Sequence, residues 1–93
     1  MRGLAAAVVV LAWIVPAAAA PPAGAAACSG CHATSPGVAT PVPRLAGRDA
    51  ADIVKAMQEF RAGTRPGTVM DRIAKGFTDE EVQAIAAWYA GKR

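Results

Sequence analysis

Apolar residues follow two different patterns along this chain. Near the start they form an unbroken run, Leu4 to Val15, whereas from position 50 onward they recur every three or four residues, which is the spacing of one helix face. A helix is predicted from Ala50 to Ala62. Its apolar face consists of Ile53, Val54, Met57 and Phe60. Asp49, with Asp52 in the first turn, can cap the start of this helix, and Gly63 favours its end.

A second amphipathic helix is predicted from Thr78 to Ala90, ending at Gly91. Thr78 and Glu81 have the spacing of a capping box, in which each side chain bonds the backbone of the other residue. Trp88 lies beside the face that we expect to be buried. That face consists of Val82, Ile85, Ala86 and Tyr89.

The remaining segments are rich in residues that interrupt helices. A short helix is predicted over Ala25 to Cys31, and Ala33 to Gly47 is a proline-rich loop that contains Pro36, Pro41 and Pro43. Residues 64–76 form a second loop region, with a short helix near Val69 to Lys75. Since no segment alternates as a half-buried strand does, the predicted fold class is all-α, with long loops.

The N-terminus has the three parts of a secretory signal peptide. A short positive segment, Met1 to Gly3, precedes the apolar run, and the small residues of Pro16 to Ala20 follow it. We therefore predict a signal peptide over residues 1–20 and one domain over residues 21–93. Because Pro21 disfavours a cut after Ala20, the cleavage site lies anywhere from position 19 to position 26. The apolar run is short for a membrane span, and an uncleaved anchor is the alternative.

The predicted signal peptide changes how the composition should be interpreted. The 93-residue chain is 54% hydrophobic with a net charge of +3, and both values include the segment to be removed. No basic run interleaved with aromatic residues indicates nucleic-acid binding. The mature domain, of about 70 residues, is small enough to be marginally stable on its own core. We expect it to need a bound group that supplies apolar volume, and to be poorly folded without that group.

The candidate chemistry lies in Cys28-Ser29-Gly30-Cys31-His32. The chain's two cysteines and its one histidine are all in this stretch. Cys-x-x-Cys-His is typical of c-type haem attachment, in which the cysteines form thioethers to the haem vinyl groups and the histidine ligates the iron. The alternatives are a thioredoxin-like dithiol, a lone disulfide or half of a zinc site, but strand–helix alternation and a second ligand pair are both missing. Haem attachment takes place outside the cytoplasm, in agreement with the export signal and with a periplasmic location.

The second axial position of the iron decides between electron transfer and ligand chemistry. Met70 follows a Pro66-Gly67 break that frees the backbone to turn a side chain toward the metal, and we predict it as the sixth ligand. Met57 lies on the apolar face of a regular helix, where a methionine usually fills the core. The alternative is that Met70 only packs against the haem, or that the iron is five-coordinate.

These motifs together resemble those of the small class I cytochromes c. The similarity is greatest to the cytochrome subunit of flavocytochrome c sulfide dehydrogenases and to related soluble bacterial cytochromes. It rests on the Cys28–His32 motif, on Pro43 to Gly47, on Arg65 to Phe77 and on the last helix. The resemblance implies helices and long loops wrapped around a single haem, although such subunits often have two haem domains. It also implies that the first and last helices pack together with Trp88 or Tyr89 at their contact, and that the Pro43 carbonyl accepts a hydrogen bond from Nδ1 of His32.

The predicted function is electron transfer by one covalently bound haem c, without catalysis by this chain. The protein is expected to be a periplasmic carrier, free of the membrane after cleavage, or the electron-accepting partner of an FAD-containing sulfide dehydrogenase subunit. The alternative is a five-coordinate haem enzyme or gas sensor. Four arginines are candidates to pair with a haem propionate or with a partner protein: Arg44, Arg48, Arg65 and Arg72.

Overall fold

The computed structural model describes residues 2–14 and 20–92. These residues hold helices and loops and no β-strand, which confirms the all-α prediction. The helices are α1 (Ala25–Cys28), α2 (Ala50–Ala62), α3 (Met70–Ile73) and α4 (Asp79–Ala90), with a 3₁₀ turn (Ala74–Gly76) directly after α3.

Helix α2 has the predicted bounds and the predicted caps. The Asp49 carboxylate accepts a hydrogen bond of 2.8 Å from the Ala51 amide, so it satisfies one of the free N–H groups at the helix start. At the other end Gly63 is left-handed, with φ of 78°, a conformation that costs glycine little. The Gly63 amide bonds the Phe60 carbonyl and the Thr64 amide bonds the Glu59 carbonyl, which together make a Schellman motif.

Helix α4 begins with the predicted capping box. Both reciprocal bonds are present, between the Thr78 hydroxyl and the Glu81 amide and between the Glu81 carboxylate and the Thr78 amide. The four residues expected on the inner face are all buried: Val82, Ile85, Ala86 and Tyr89. Trp88 is half-buried and stacks under the Lys92 ammonium, 3.8 Å from its ring centre.

The two short helices differ from their predicted bounds. Helix α1 ends at Cys28 and not at Cys31, because the chain then tightens into turns in which the Gly30 amide bonds the Ala27 carbonyl. The predicted helix over Val69 to Lys75 begins one residue later, at Met70, and its last part is 3₁₀. Short 3₁₀ pieces are common where a helix runs into a loop.

Tyr89 joins the first helix to the last. Its hydroxyl donates a 2.5 Å hydrogen bond to the Ala25 carbonyl and lies 2.8 Å from the Ser29 hydroxyl. The core cluster contains Ala25 and Ile53 together with Ile85, Ala86 and Tyr89 of α4. The packing of first and last helices implied by the family resemblance is therefore present, with Tyr89 at the contact. This contact places α1, with Cys28 at its end, against the core.

The N-terminal segment lies apart from this helical arrangement. Residues 2–14 are exposed and form neither helix nor strand. Of the predicted cleavage range, positions 19–26, position 19 lies outside the described part of the chain, as do residues 15–18, Met1 and Arg93. None of the helices within the described ranges has the length and apolar character that crossing a bilayer requires.

Candidate cofactor site

A cavity of about 720 Å³ lies between α2, α4 and the two long loops. Its wall includes every residue that the sequence predicted for the site, namely Cys28, Cys31, His32, Pro43 and Met70. Most of the remaining wall is apolar, and α2, α4 and the segment before α4 contribute Ile53, Ala56, Met57, Phe60, Phe77, Val82 and Ile85. Residues from five separate segments of the chain therefore meet at one site.

The two cysteines are free thiols and differ in exposure. Cys28 is half-buried at the end of α1, and its sulfur lies 3.6 Å from the Gly24 carbonyl. Burial raises the pKa of the Cys28 thiol, and a weaker backbone hydrogen bond opposes the shift. Cys28 is therefore a neutral thiol at neutral pH. Cys31 is exposed at the rim of the cavity.

The imidazole of His32 is oriented by a backbone acceptor. Nδ1 of His32 lies 2.6 Å from the carbonyl oxygen of Pro43. Because a carbonyl can only accept, Nδ1 carries the proton and donates, and Nε2 keeps its lone pair. The His32 amide also bonds the Cys28 carbonyl at 2.9 Å, so the backbone holds the histidine close to the first cysteine. This arrangement presents Nε2 as a metal ligand.

Both methionines of the described domain line the cavity. Met70 is half-buried at the start of α3, directly after a loop in which residues 62–69 are all exposed. Met57 lies in the middle of α2, and like Met70 it is half-buried and lines the cavity, so its role as a core filler stays a prediction. The sequence separated the two methionines by their backbone context, and the structure places them in those two contexts.

Two of the four candidate arginines line the cavity, namely Arg48 and Arg65. Arg44 is elsewhere: its guanidinium donates a 3.2 Å hydrogen bond to the Thr34 carbonyl. Arg72 is exposed and is not part of the cavity wall. The positive charge at the cavity therefore comes from one residue before α2 and one after it.

Leu45 and Phe77 are among the wall residues that sequence reasoning missed. Leu45 belongs to the Pro43–Gly47 motif, and a leucine in a loop otherwise made of small residues, prolines and one arginine was the available signal. Phe77 precedes the capping box of α4, where an apolar residue often packs back onto the helix. Both lie in segments without periodicity, so the helical pattern could not reveal them.

The cavity fits haem, the group that the Cys-x-x-Cys-His motif implies. Its volume falls within the range of about 300–1,000 Å³ typical of cofactor sites. It offers two thiols, an imidazole nitrogen oriented by Pro43, a thioether, apolar walls and two guanidinium groups. Haem is a flat apolar ring with two vinyl groups, an iron and two carboxylates, so each part of the group has a matching residue type.

Comparisons with known proteins identify the family. No protein-family model matches the chain. The chain is 39% identical over 62 residues to the cytochrome subunit of sulfide dehydrogenase from Chlorobaculum tepidum, covering 67% of this chain and 56% of that protein. It is 33% identical over 69 residues to cytochrome c-554(548) from Halomonas halodenitrificans, covering 70% of this chain and 83% of that protein. The chain belongs to the class I c-type cytochromes.

A third relative is longer. The cytochrome is 45% identical over 65 residues to the thiosulfate dehydrogenase electron acceptor of Stutzerimonas stutzeri, covering 68% of this chain but 30% of that protein. It thus spans about half of the Chlorobaculum subunit and less than a third of the Stutzerimonas protein. The cytochrome has the class I fold, and its cofactor is haem c.

Proposed function

We propose that the cytochrome carries one haem, bound covalently through Cys28 and Cys31, with His32 and Met70 as axial ligands. The observation that carries this proposal is the single cavity whose wall contains all four side chains. The haem supplies a one-electron Fe(III)/Fe(II) couple, and no substrate binds the iron.

The residues around the haem tune it and hold it. The Pro43 carbonyl keeps Nδ1 of His32 protonated and increases the basicity of Nε2. The Met70 thioether is a soft, neutral ligand, which favours Fe(II) and raises the potential. Arg48, in the cavity wall, pairs with a haem carboxylate, whereas the Arg65 guanidinium is already bonded to the Glu59 carboxylate. Electrons pass through the haem edge near the thioethers, where Cys31 is exposed.

We propose that the redox partner is a dehydrogenase that oxidises an inorganic sulfur compound, in the first instance an FAD-containing sulfide dehydrogenase subunit. The support comes from the names of two relatives, a cytochrome subunit of sulfide dehydrogenase and a thiosulfate dehydrogenase electron acceptor. In this role the cytochrome accepts electrons and the partner performs the oxidation.

We propose that the chain is exported to the periplasm and cut before Pro22. Ala25 is 1% exposed and its carbonyl accepts the Tyr89 bond, while its amide bonds the Pro22 carbonyl. A cut after Ala25 or Ala26 would remove this core residue from the folded domain. Mass spectrometry of the mature protein gives the N-terminus directly, and a start at residue 26 or 27 would contradict this placement.

Covalent attachment is tested by acid–acetone extraction of the mature protein. We expect the haem to stay on the chain, at one iron per polypeptide. Haem that extracts freely would overturn the proposal, and two irons per chain would overturn the single site. Cys28→Ser and Cys31→Ser should each leave one thioether at most, which shifts the absorption of the reduced haem in alkaline pyridine.

The partner is tested by purifying the native protein from its own cells. Copurification with a flavoprotein that reduces the haem when sulfide is added supports the proposed partner. A cytochrome that sulfide and the flavoprotein fail to reduce argues for a different donor. Carbon monoxide added to the reduced protein tests the five-coordinate alternative, because an open iron position binds it at once.

A further inference from the structure

The loop that leads to Met70 is attached to the protein at one place. Residues 63–69 are all exposed, and Arg65, Pro66, Thr68 and Val69 among them line the cofactor cavity. Within the described structure, every hydrogen bond of residues 63–68 ends on Glu59 or Phe60 in the last turn of α2. The Glu59 carbonyl accepts from the Thr64 amide at 3.0 Å, the Arg65 amide at 3.3 Å and the Thr64 hydroxyl at 3.4 Å.

Side chains strengthen the same attachment. The Glu59 carboxylate accepts a 3.0 Å hydrogen bond from the Arg65 guanidinium. The guanidinium carbon of Arg65 also lies 5.7 Å from the centre of the Phe60 ring, a cation–π distance. Both contacts are partly exposed, so each makes a modest contribution and the two act together on Arg65.

The Phe60 ring also supports the second half of the loop. A Cβ placed on Gly67 would lie 2.9 Å from Cε1 of Phe60 and 3.5 Å from Cβ of Met70. The backbone at Gly67 therefore runs against the ring edge, three residues before Met70. Phe60 is half-buried and lines the cofactor cavity, so the ring lies between the cavity and the loop.

We propose that Phe60, with Glu59, is a positioning element that holds the Met70 thioether on the haem iron. It does so by fixing the loop at Arg65 and at Gly67; Phe60 itself does not ligate. This inference rests on the proposed ligation by Met70. Loss of the ring raises the fraction of molecules in which the loop has moved and the iron is open.

The open fraction can be measured with carbon monoxide. The apparent affinity of a ligand scales with the fraction of protein in the binding-competent state. For Phe60→Leu we expect the apparent carbon monoxide affinity of the reduced protein to rise by at least about tenfold. In the oxidised protein, the weak sulfur-to-iron charge-transfer band should disappear at a urea concentration well below that at which the helices unfold. Phe60→Tyr, which keeps the ring, should behave as the wild type does.

Tyr89→Phe is the matched control. It weakens the contact between α1 and α4 and leaves the Met70 loop untouched, so the band and the helices should be lost together at a lower urea concentration. If Phe60→Leu fails to mature, Gly67→Ala tests the same contact from the exposed loop. That variant should also raise carbon monoxide affinity, since the new Cβ would push the loop from the ring.

Two results overturn the proposal in different ways. If the wild type has the band and Phe60→Leu and Gly67→Ala leave carbon monoxide affinity unchanged, Met70 ligates without help from Phe60. If the wild type lacks the band and binds carbon monoxide as readily as Met70→Ala does, the ligation itself is wrong, and the positioning role is wrong with it.

Discussion

Two parts of the cavity wall, the Cys28–His32 segment and the segment that ends at Met70, are held in place by different contacts. On the histidine side, five consecutive residues contain Cys28, Cys31 and His32, and the His32 amide bonds the Cys28 carbonyl. On the methionine side, Met70 follows an exposed loop that is tied only to the end of α2. The His32 backbone is thus held by a neighbour in sequence and its ring by the Pro43 carbonyl, whereas Met70 depends on the contact between its loop and α2. We therefore predict that substitutions on the histidine side abolish haem binding. Substitutions on the methionine side should keep the haem and change its reduction potential and its affinity for carbon monoxide.

The largest effect is expected for His32→Ala. The chain has one histidine, so no other histidine can take over the predicted role of His32. We expect loss of the low-spin haem spectrum and, in most preparations, loss of the matured protein, measured by haem staining and absorption after coexpression with the maturation system. Ser29→Ala changes a variable position of the same motif and should mature normally. A low-spin spectrum in His32→Ala would contradict this prediction, because it would show that another side chain ligates the iron in place of His32.

Met70→Ala should keep the haem attached, because both cysteines and His32 remain. Its reduction potential should fall substantially, as axial ligands tune haem over about 0.8 V. The sulfur-to-iron band should vanish, and carbon monoxide should bind. Met57→Leu is the control, a volume-conserving substitution that costs under about 1.5 kcal/mol and keeps the band. The reverse result, with the band lost in Met57→Leu and kept in Met70→Ala, would move the ligand to α2.

Tyr89→Phe tests whether the histidine wall depends on the core behind it. The change removes the bonds to the Ala25 carbonyl and the Ser29 hydroxyl. We expect a loss of about 1–3 kcal/mol in unfolding free energy, since a buried acceptor is left without its donor. The absorption spectrum should not change. Ser29→Ala removes only the partner on the exposed side, so urea unfolding should show a smaller loss; an equal or greater loss would contradict the role given to Ala25.

Pro43→Ala should have the smallest effect, because the acceptor for His32 is a backbone carbonyl that the substitution retains. The replacement loosens the backbone and weakens the bond, which lowers the basicity of His32 and raises the potential slightly. The shift should be opposite in sign to that of Met70→Ala and much smaller. Pro41→Ala, a neighbouring proline that does not bond the histidine, should leave the potential unchanged in the same voltammetric titration. A large fall in potential for Pro43→Ala would contradict this description of the hydrogen bond.

Helices with caps at both ends were predictable from sequence. Helix α2 has the predicted bounds because Asp49 and Gly63 act on the few residues next to them, and α4 begins at its capping box for the same reason. The short helices were less predictable. Helix α1 ends at Cys28, where turn hydrogen bonds replace helical ones, and a segment of this length has too few internal bonds for its own pattern to fix its end.

The sequence by itself determined which residues can hold a haem. The spacing of Cys28, Cys31 and His32 is local chemistry, and the chain contains no competing cysteine or histidine. Only the tertiary structure decided what surrounds them: that Tyr89 ties α1 to α4, that Leu45 and Phe77 complete the wall, and that Phe60 supports the loop before Met70. These contacts join residues from different segments of the chain. These contacts depend on which side chains fit together and become buried when the helices pack, and spacing along the sequence does not predict them.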